Sequence, residues 1–126
     1  SPLMLGRGGN ILTMTFQASD RVFPGYNVMG TAKAALENEM RQIASDLGPD
    51  NIRVNAISAG PLDTLSSRVI SRYRDMKRVH AERSPMRRNI TMDEVAKTAL
   101  YLCSDLASGV TGEVIHVDCG YNIMGI

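Results

Sequence analysis

The sequence predicts an α/β fold, a parallel sheet with helices on its faces, and more narrowly the C-terminal half of a larger doubly wound domain. Apolar, β-branched runs of strand length alternate with helix-length segments in the order strand, helix, strand, helices, strand. That order is the pattern of right-handed crossovers onto a parallel sheet. The chain of 126 residues is long enough to bury a core. Three strands alone would nevertheless leave the first of them as a long, apolar, unpaired edge. The rest of the sheet is therefore expected in an N-terminal half that this chain lacks.

The elements follow in order. Ser1-Pro2-Leu3-Met4-Leu5 reads as the last turn of a helix, stopped at Gly6. Gly6-Arg7-Gly8-Gly9 then leads into a strand over residues 10–16. These glycines precede a strand instead of joining a strand to a helix, so they cannot set a helix N-terminus against a pyrophosphate. After a polar loop, a helix is expected over 26–47, with Val28, Ala32, Ala35, Leu36, Met40, Ile43 and Leu47 as its inner face. Gly48-Pro49-Asp50 ends it. Its opposite arc, Asn27, Thr31, Ala34, Asn38, Gln42 and Ser45, is small or uncharged, with Arg41 the one long charge. A solvated face usually carries more Lys and Glu, so burial against another subunit is expected. A second strand, 52–58, runs straight into Ala59-Gly60-Pro61-Leu62-Asp63-Thr64. Residues 65–83 read as one or two short, mobile helices, broken by Ser84-Pro85. Thr91-Met92-Asp93-Glu94 is a capping box opening a helix to about residue 104, and 112–118 is the third strand.

Composition narrows the function classes. A net charge of +1 gives no reason to expect nucleic acid or a membrane surface as partner. Basic residues gather between Arg68 and Arg88, but acidic residues and serines interrupt them, and aromatic interleaving is absent. Cys103 and Cys119 fit no metal spacing, and a reduced, cytoplasmic protein is the simplest reading. No apolar run approaches the roughly 20 residues that span a bilayer. His80, among charged neighbours, is expected to be solvated, and His116, between Ile115 and Val117, to be a packed structural histidine.

The chemistry centres on Tyr26 and Lys33. Positions i and i+7 of an α-helix lie about 20° apart around the axis and roughly 10 Å apart along it. A phenol and an ammonium so placed can hold two ends of one reacting assembly, and the ammonium would pull the phenol pKa toward working pH. Ligands of open parallel sheets lie beyond the carboxyl ends of the strands. Phe16, the Gly60-Pro61-Leu62 turn and Thr64 all fall at such ends. Thr64 is placed to cap a following helix and to offer its hydroxyl and N–H to a phosphate.

The runs Tyr26-Asn27-Val28-Met29-Gly30-Thr31-Ala32-Lys33, Arg53-Val54-Asn55-Ala56-Ile57-Ser58-Ala59-Gly60-Pro61, Cys103-Ser104-Asp105-Leu106 and Gly112-Glu113-Val114-Ile115-His116-Val117-Asp118 together resemble enoyl-acyl-carrier-protein reductase, a divergent branch of the short-chain dehydrogenase/reductase superfamily. The likeness covers essentially the whole chain, which implies the C-terminal half of a Rossmann-type dinucleotide-binding domain. Ordinary members of the superfamily place the lysine four residues after the tyrosine, where this chain has Gly30. The longer spacing marks the enoyl-reducing branch.

The resemblance implies hydride transfer from NADH, or NADPH, to the β-carbon of a 2-enoyl thioester carried on acyl-carrier protein or CoA, in fatty-acid biosynthesis, by a homotetramer built through the helix at 26–47. Tyr26 would bond the thioester carbonyl, and Lys33 the nicotinamide ribose. In the cofactor-binding turn, Gly60 would let a flat group approach the backbone and Pro61 would fix the turn; Leu62, by its backbone, would meet the carboxamide, and Thr64 the pyrophosphate. Phe16, Met29, Tyr73 and Met76 would shape the acyl pocket, the last two as part of a lid. No metal is implied. The sequence departs from the family pattern at Phe16, where many members carry a second tyrosine, and at Cys119, where Asp-Gly-Gly is usual. The alternatives are a carbonyl-reducing member of the superfamily, acting on 3-oxoacyl thioesters or ketones, and a non-catalytic oligomerising fragment.

Overall fold

In the computed structural model, residues 2–26, 28–64 and 73–125 are described. The elements are β1 (Gly9–Thr15), α1 (Val28–Leu47), β2 (Ile52–Ala59), α2 (Tyr73–Arg83), α3 (Met92–Cys103) and β3 (Val114–Val117), with 3-10 turns between several of them. Sheet order is β1-β2-β3 and both pairings are parallel. Gly9 pairs with Ile52 and Thr15 with Ser58, so the carboxyl ends of β1 and β2 lie side by side.

Side chains alternate across a strand, and β2 uses both of its faces. Val54 and Ala56 meet Met40 and Ala44 of α1, while Ile57 on the other face joins Val95 and Leu102 of α3. Helices therefore cover opposite faces, which is the doubly wound arrangement. Asn55 is fully buried and its amide is satisfied: Nδ2 donates to the Val110 carbonyl at 2.9 Å, and Oδ1 accepts from Glu113 N–H at 3.1 Å. That pins the loop before β3 to the sheet. The capping box forms as expected. Thr91 Oγ1 accepts from the Glu94 N–H, Glu94 returns to the Thr91 N–H, and Arg88 adds a two-pronged pair to the Glu94 carboxylate at 2.8 Å.

Two packing expectations are corrected. On α1, Leu36, Met40, Ile43 and Leu47 face inward as expected, joined by Gly30, Lys33, Glu37 and Ala44, but Val28, Ala32 and Ala35 face outward, with Val28 80% exposed. The difference lies in the first turns, where the inward positions are a close backbone contact at Gly30 and the cavity-lining Lys33 instead of core residues. His116 is exposed rather than packed. It points to the face of β3 opposite Ile115 and Val117, which alone join the α3 cluster. The expected helix start after Thr64 lies outside the described residues.

Candidate active site

The carboxyl ends of β1 and β2 open into a cavity of about 690 Å³, lined by every site residue the sequence singles out: Phe16, Tyr26, Met29, Lys33, Gly60, Pro61, Leu62, Thr64, Tyr73 and Met76. They come from four places in the chain. Phe16 follows β1, and Gly60 to Thr64 follow β2. Met29 and Lys33 belong to α1, and Tyr73 and Met76 open α2.

Tyr26 sits just ahead of α1, tied in by its N–H to the Phe23 carbonyl and by its carbonyl to the Met29 N–H. Its ring packs against Phe16 at 4.9 Å and Phe23 at 5.8 Å, and its hydroxyl donates to Met76 Sδ at 3.4 Å. Burial, reinforced by Tyr73, pushes its pKa up to about 12. This overturns the expectation that Lys33 would draw the phenol toward working pH. Desolvation disfavours a phenolate in this aromatic, thioether-lined niche. The Lys33 ammonium is engaged elsewhere, donating to the Met14 carbonyl at 3.1 Å. Tyr26 is a neutral hydrogen-bond donor, not an incipient phenolate.

The turn after β2 is held from above and below. Gly60 N–H bonds the Val117 carbonyl at 2.9 Å, the Tyr73 hydroxyl donates to the Leu62 carbonyl, and Lys77 pairs with Asp63 at 3.0 Å. A Cβ on Gly60 would lie 3.0 Å from His80 Nε2 and 3.4 Å from the Asp118 Cα. The missing side chain therefore makes room for an imidazole.

His80 is the main residue the sequence misplaces. It is 4% exposed, stacked on Tyr121 with ring centroids 4.6 Å apart, and lines the cavity. Burial lowers its pKa below the ordinary 6.5, against the opposing pull of Asp118. Asn89 lies near enough to favour the charged ring, but among the described residues no hydrogen bond reaches either ring nitrogen. A helical signal for it existed: Tyr73, Met76 and His80 recur at i, i+3 and i+7, one face of α2. Phe23 and Tyr121 also reach the cavity and carried no local motif, and Asp118, which ends the Gly112-to-Asp118 run, reaches it without having been given a site role.

Cys119 adopts φ 55°, a left-handed conformation that costs a non-glycine residue about 1–2 kcal/mol. Asp118 holds the turn there, accepting from the N–H groups of Gly120 at 3.0 Å and Asn122 at 2.9 Å. Both cysteines are free thiols. Among the described residues, no cluster of three or more His, Cys, Asp or Glu is placed to hold a metal, and no helix is long and apolar enough to cross a membrane.

Comparison with known proteins covers nearly the whole chain. A family model described as enoyl-(acyl carrier protein) reductase matches residues 1–122. The NADH enoyl-[acyl-carrier-protein] reductase FabI of Rickettsia typhi is 54% identical over 118 residues, covering 94% of this chain and 45% of the relative. Its counterpart in Bacillus cereus is 53% identical over 122 residues, covering 97% and 48%. The chain thus spans about half the length of the curated relatives it matches. Among solved structures, the Aquifex aeolicus NADH enoyl reductase superposes with a TM-score of 0.94 at 46% identity, over 99% of this chain and 48% of that one. The Anaplasma phagocytophilum enoyl reductase in complex with NAD gives 0.93 at 52% identity, over 99% and 47%. The superposed folds and the near-complete family match agree: this chain belongs to the enoyl-acyl-carrier-protein reductase family.

Proposed function

We propose that the full-length protein reduces the double bond of a 2-enoyl thioester, on acyl-carrier protein or CoA, with NADH as the reductant and NADPH as the alternative. The observation that carries this reading is the convergence of Tyr26, Lys33 and the Gly60–Thr64 turn on one cavity at the carboxyl edge of two parallel strands.

The residues fit the nicotinamide half of such a cofactor. The walls formed by Phe16, Met29 and Pro61 are apolar, and Lys33 and Thr64 bring an ammonium and a hydroxyl into the same space. Lys33 would hold the ribose hydroxyls, Leu62 the carboxamide through its backbone, and Thr64 the pyrophosphate. The cofactor, when bound, supplies the hydride that adds to the β-carbon. As it adds, the π electrons move onto the thioester oxygen, and a proton is later taken at the α-carbon. The new charge collects on that one oxygen, so the useful group is a donor already aimed at it. Tyr26 is that donor, held neutral by burial. Phe16 can shape the pocket but has no proton to give, which leaves proton delivery to Tyr26 and solvent. Tyr73 and Met76 cover the acyl side, and the Tyr73 bond to Leu62 couples that cover to the turn beneath it.

The assay that tests this reading follows NADH absorbance in the full-length protein, with crotonyl and acetoacetyl thioesters compared. Oxidation with the first and little with the second is expected. The reverse order would assign the protein to carbonyl reduction. We also read the protein as a cytoplasmic homotetramer assembled through α1, whose outward Val28, Ala32, Ala34 and Ala35 present a small, apolar face. A monomer by light scattering would remove that reading.

A further inference from the structure

A carboxylate stands one helical turn from Lys33, yet the two do not pair. Glu37 follows Lys33 by four residues on α1, the spacing at which Lys and Glu meet on a helix surface. Among the described residues, the ion pairs do not include them. Instead Glu37 Oε2 accepts from Thr15 Oγ1 at 2.6 Å, within the short range of hydroxyl-to-carboxylate bonds. Thr15 is the last residue of β1, 4% exposed, and lines the cavity, whereas Glu37 does not. The neighbouring carbonyl, Met14, receives the Lys33 ammonium. Two adjacent residues at the strand tip thus take two successive turns of the same helix face.

We infer that Thr15 is a positioning residue: its hydroxyl occupies the Glu37 carboxylate and so keeps that carboxylate off Lys33, leaving the ammonium available to hydroxyl groups of a ligand in the cavity. A buried hydroxyl needs an acceptor, and a β-branched side chain has few rotamers with which to find another. Met14 O is a neutral acceptor that a ligand can displace. Glu37 would be a charged one, adding ion–ion attraction to the charge-assisted bond that the ammonium already makes with a neutral carbonyl. Once Glu37 is released from Thr15, it competes with the ligand for the lysine. The ligand class follows from the reading above, in which Lys33 holds the cofactor ribose.

The test uses the full-length protein and a double-mutant cycle. Thr15→Val keeps shape and removes the donor. The NADH Kd should rise about 3–10-fold, with turnover at saturating NADH within about twofold of wild type. Glu37→Gln cannot form an ion pair and should bind NADH like wild type, as should Thr15→Ser, which keeps the hydroxyl. The decisive variant is Thr15→Val with Glu37→Gln, which should recover affinity to within about twofold of wild type. A mere packing role for Thr15 would leave the double variant no better than the single one, and that result overturns the inference. So does an unchanged Kd in Thr15→Val. A crystal structure of cofactor-free Thr15→Val gives a separate arm. Lys33 and Glu37 within salt-bridge distance support the inference even if the wild type binds no NADH, an outcome that would sink the cofactor reading alone. Lys33 still on the Met14 carbonyl, with Glu37 apart from it, would overturn the inference.

Discussion

Tyr26→Phe in the full-length protein should lower turnover by roughly 10–1000-fold, the range of acid–base and oxyanion-donor effects, while leaving substrate KM within a few-fold. The split follows from the surroundings of the side chain. Its ring makes the contacts to Phe16 and Phe23, and phenylalanine preserves these. The hydroxyl is the part aimed into the cavity, with a thioether as its partner. That is a weak acceptor, which a carbonyl oxygen can replace at little cost. The pH profile carries a second signature. Donation requires the protonated phenol, and burial holds the pKa at about 12. Activity should therefore show no alkaline limb from Tyr26 between about pH 7 and 10, because the group loses its proton only as pH approaches the raised value. An alkaline limb near pH 8 that disappears in Tyr26→Phe would mean that the phenol loses its proton near working pH, against the effect of burial; activity that instead rises through pH 8 would mean that the tyrosine works as a phenolate. Full turnover in that variant would remove its role altogether.

Gly30→Ala should destabilise the full-length protein by about 1–3 kcal/mol, the usual cost of forcing atoms into a close-packed contact. A Cβ built on Gly30 would fall 2.6 Å from the Ala18 carbonyl oxygen and 3.4 Å from its carbon. Both are backbone atoms of the 3-10 turn Gln17–Ser19, which follows Phe16 directly. No flexible side chain can yield there, so either α1 or the turn must move. Movement of the turn would disturb Phe16 and, through it, the Tyr26 ring. The lowered stability should therefore come with lowered turnover even where the variant is fully folded. Denaturant unfolding beside steady-state kinetics reads both, and a variant as stable and active as wild type would show that the close approach does not exist. The same contact leaves no room for a side chain at the fourth position after Tyr26. The superfamily's usual lysine position is occupied here by Gly30, pressed against backbone. An ammonium for the cavity has to come from the next inward position, and Lys33 supplies it.

The sheet was legible because strand residues state their burial directly. The runs around Ile11, Val54 and Ile115 are apolar and β-branched, and the glycines, prolines and aspartates between them end each element near where the structure ends it. The candidate site was legible for a related reason. Motifs at the carboxyl ends of parallel strands must share one edge, so Phe16, Gly60 and Thr64 could be brought together without coordinates. Helix α1 was harder to read. Its inner face begins with Gly30 and Lys33, a close contact and a cavity cation, so an apolar-face reading put Val28, Ala32 and Ala35 inward in the first turns, while Leu36, Met40, Ile43 and Leu47 do face inward. His80 was lost for the opposite reason. Its sequence neighbours are charged, but one face of α2 turns inward and stacks the imidazole on Tyr121, a partner about forty residues away. The Tyr26 pKa required coordinates, because a nearby cation in sequence says nothing about which acceptor that cation has chosen.

The most direct measurement uses the full-length protein with NADH deuterated at the transferable C4 position and crotonyl thioester as acceptor, the product being read by NMR. The account predicts one deuterium at the β-carbon of a saturated butyryl thioester, with the α-carbon proton drawn from solvent. Crotonyl thioester recovered unreduced, with no deuterium at its β-carbon, while the same deuterated NADH reduces an acetoacetyl thioester added in its place to the labelled carbinol, would contradict it.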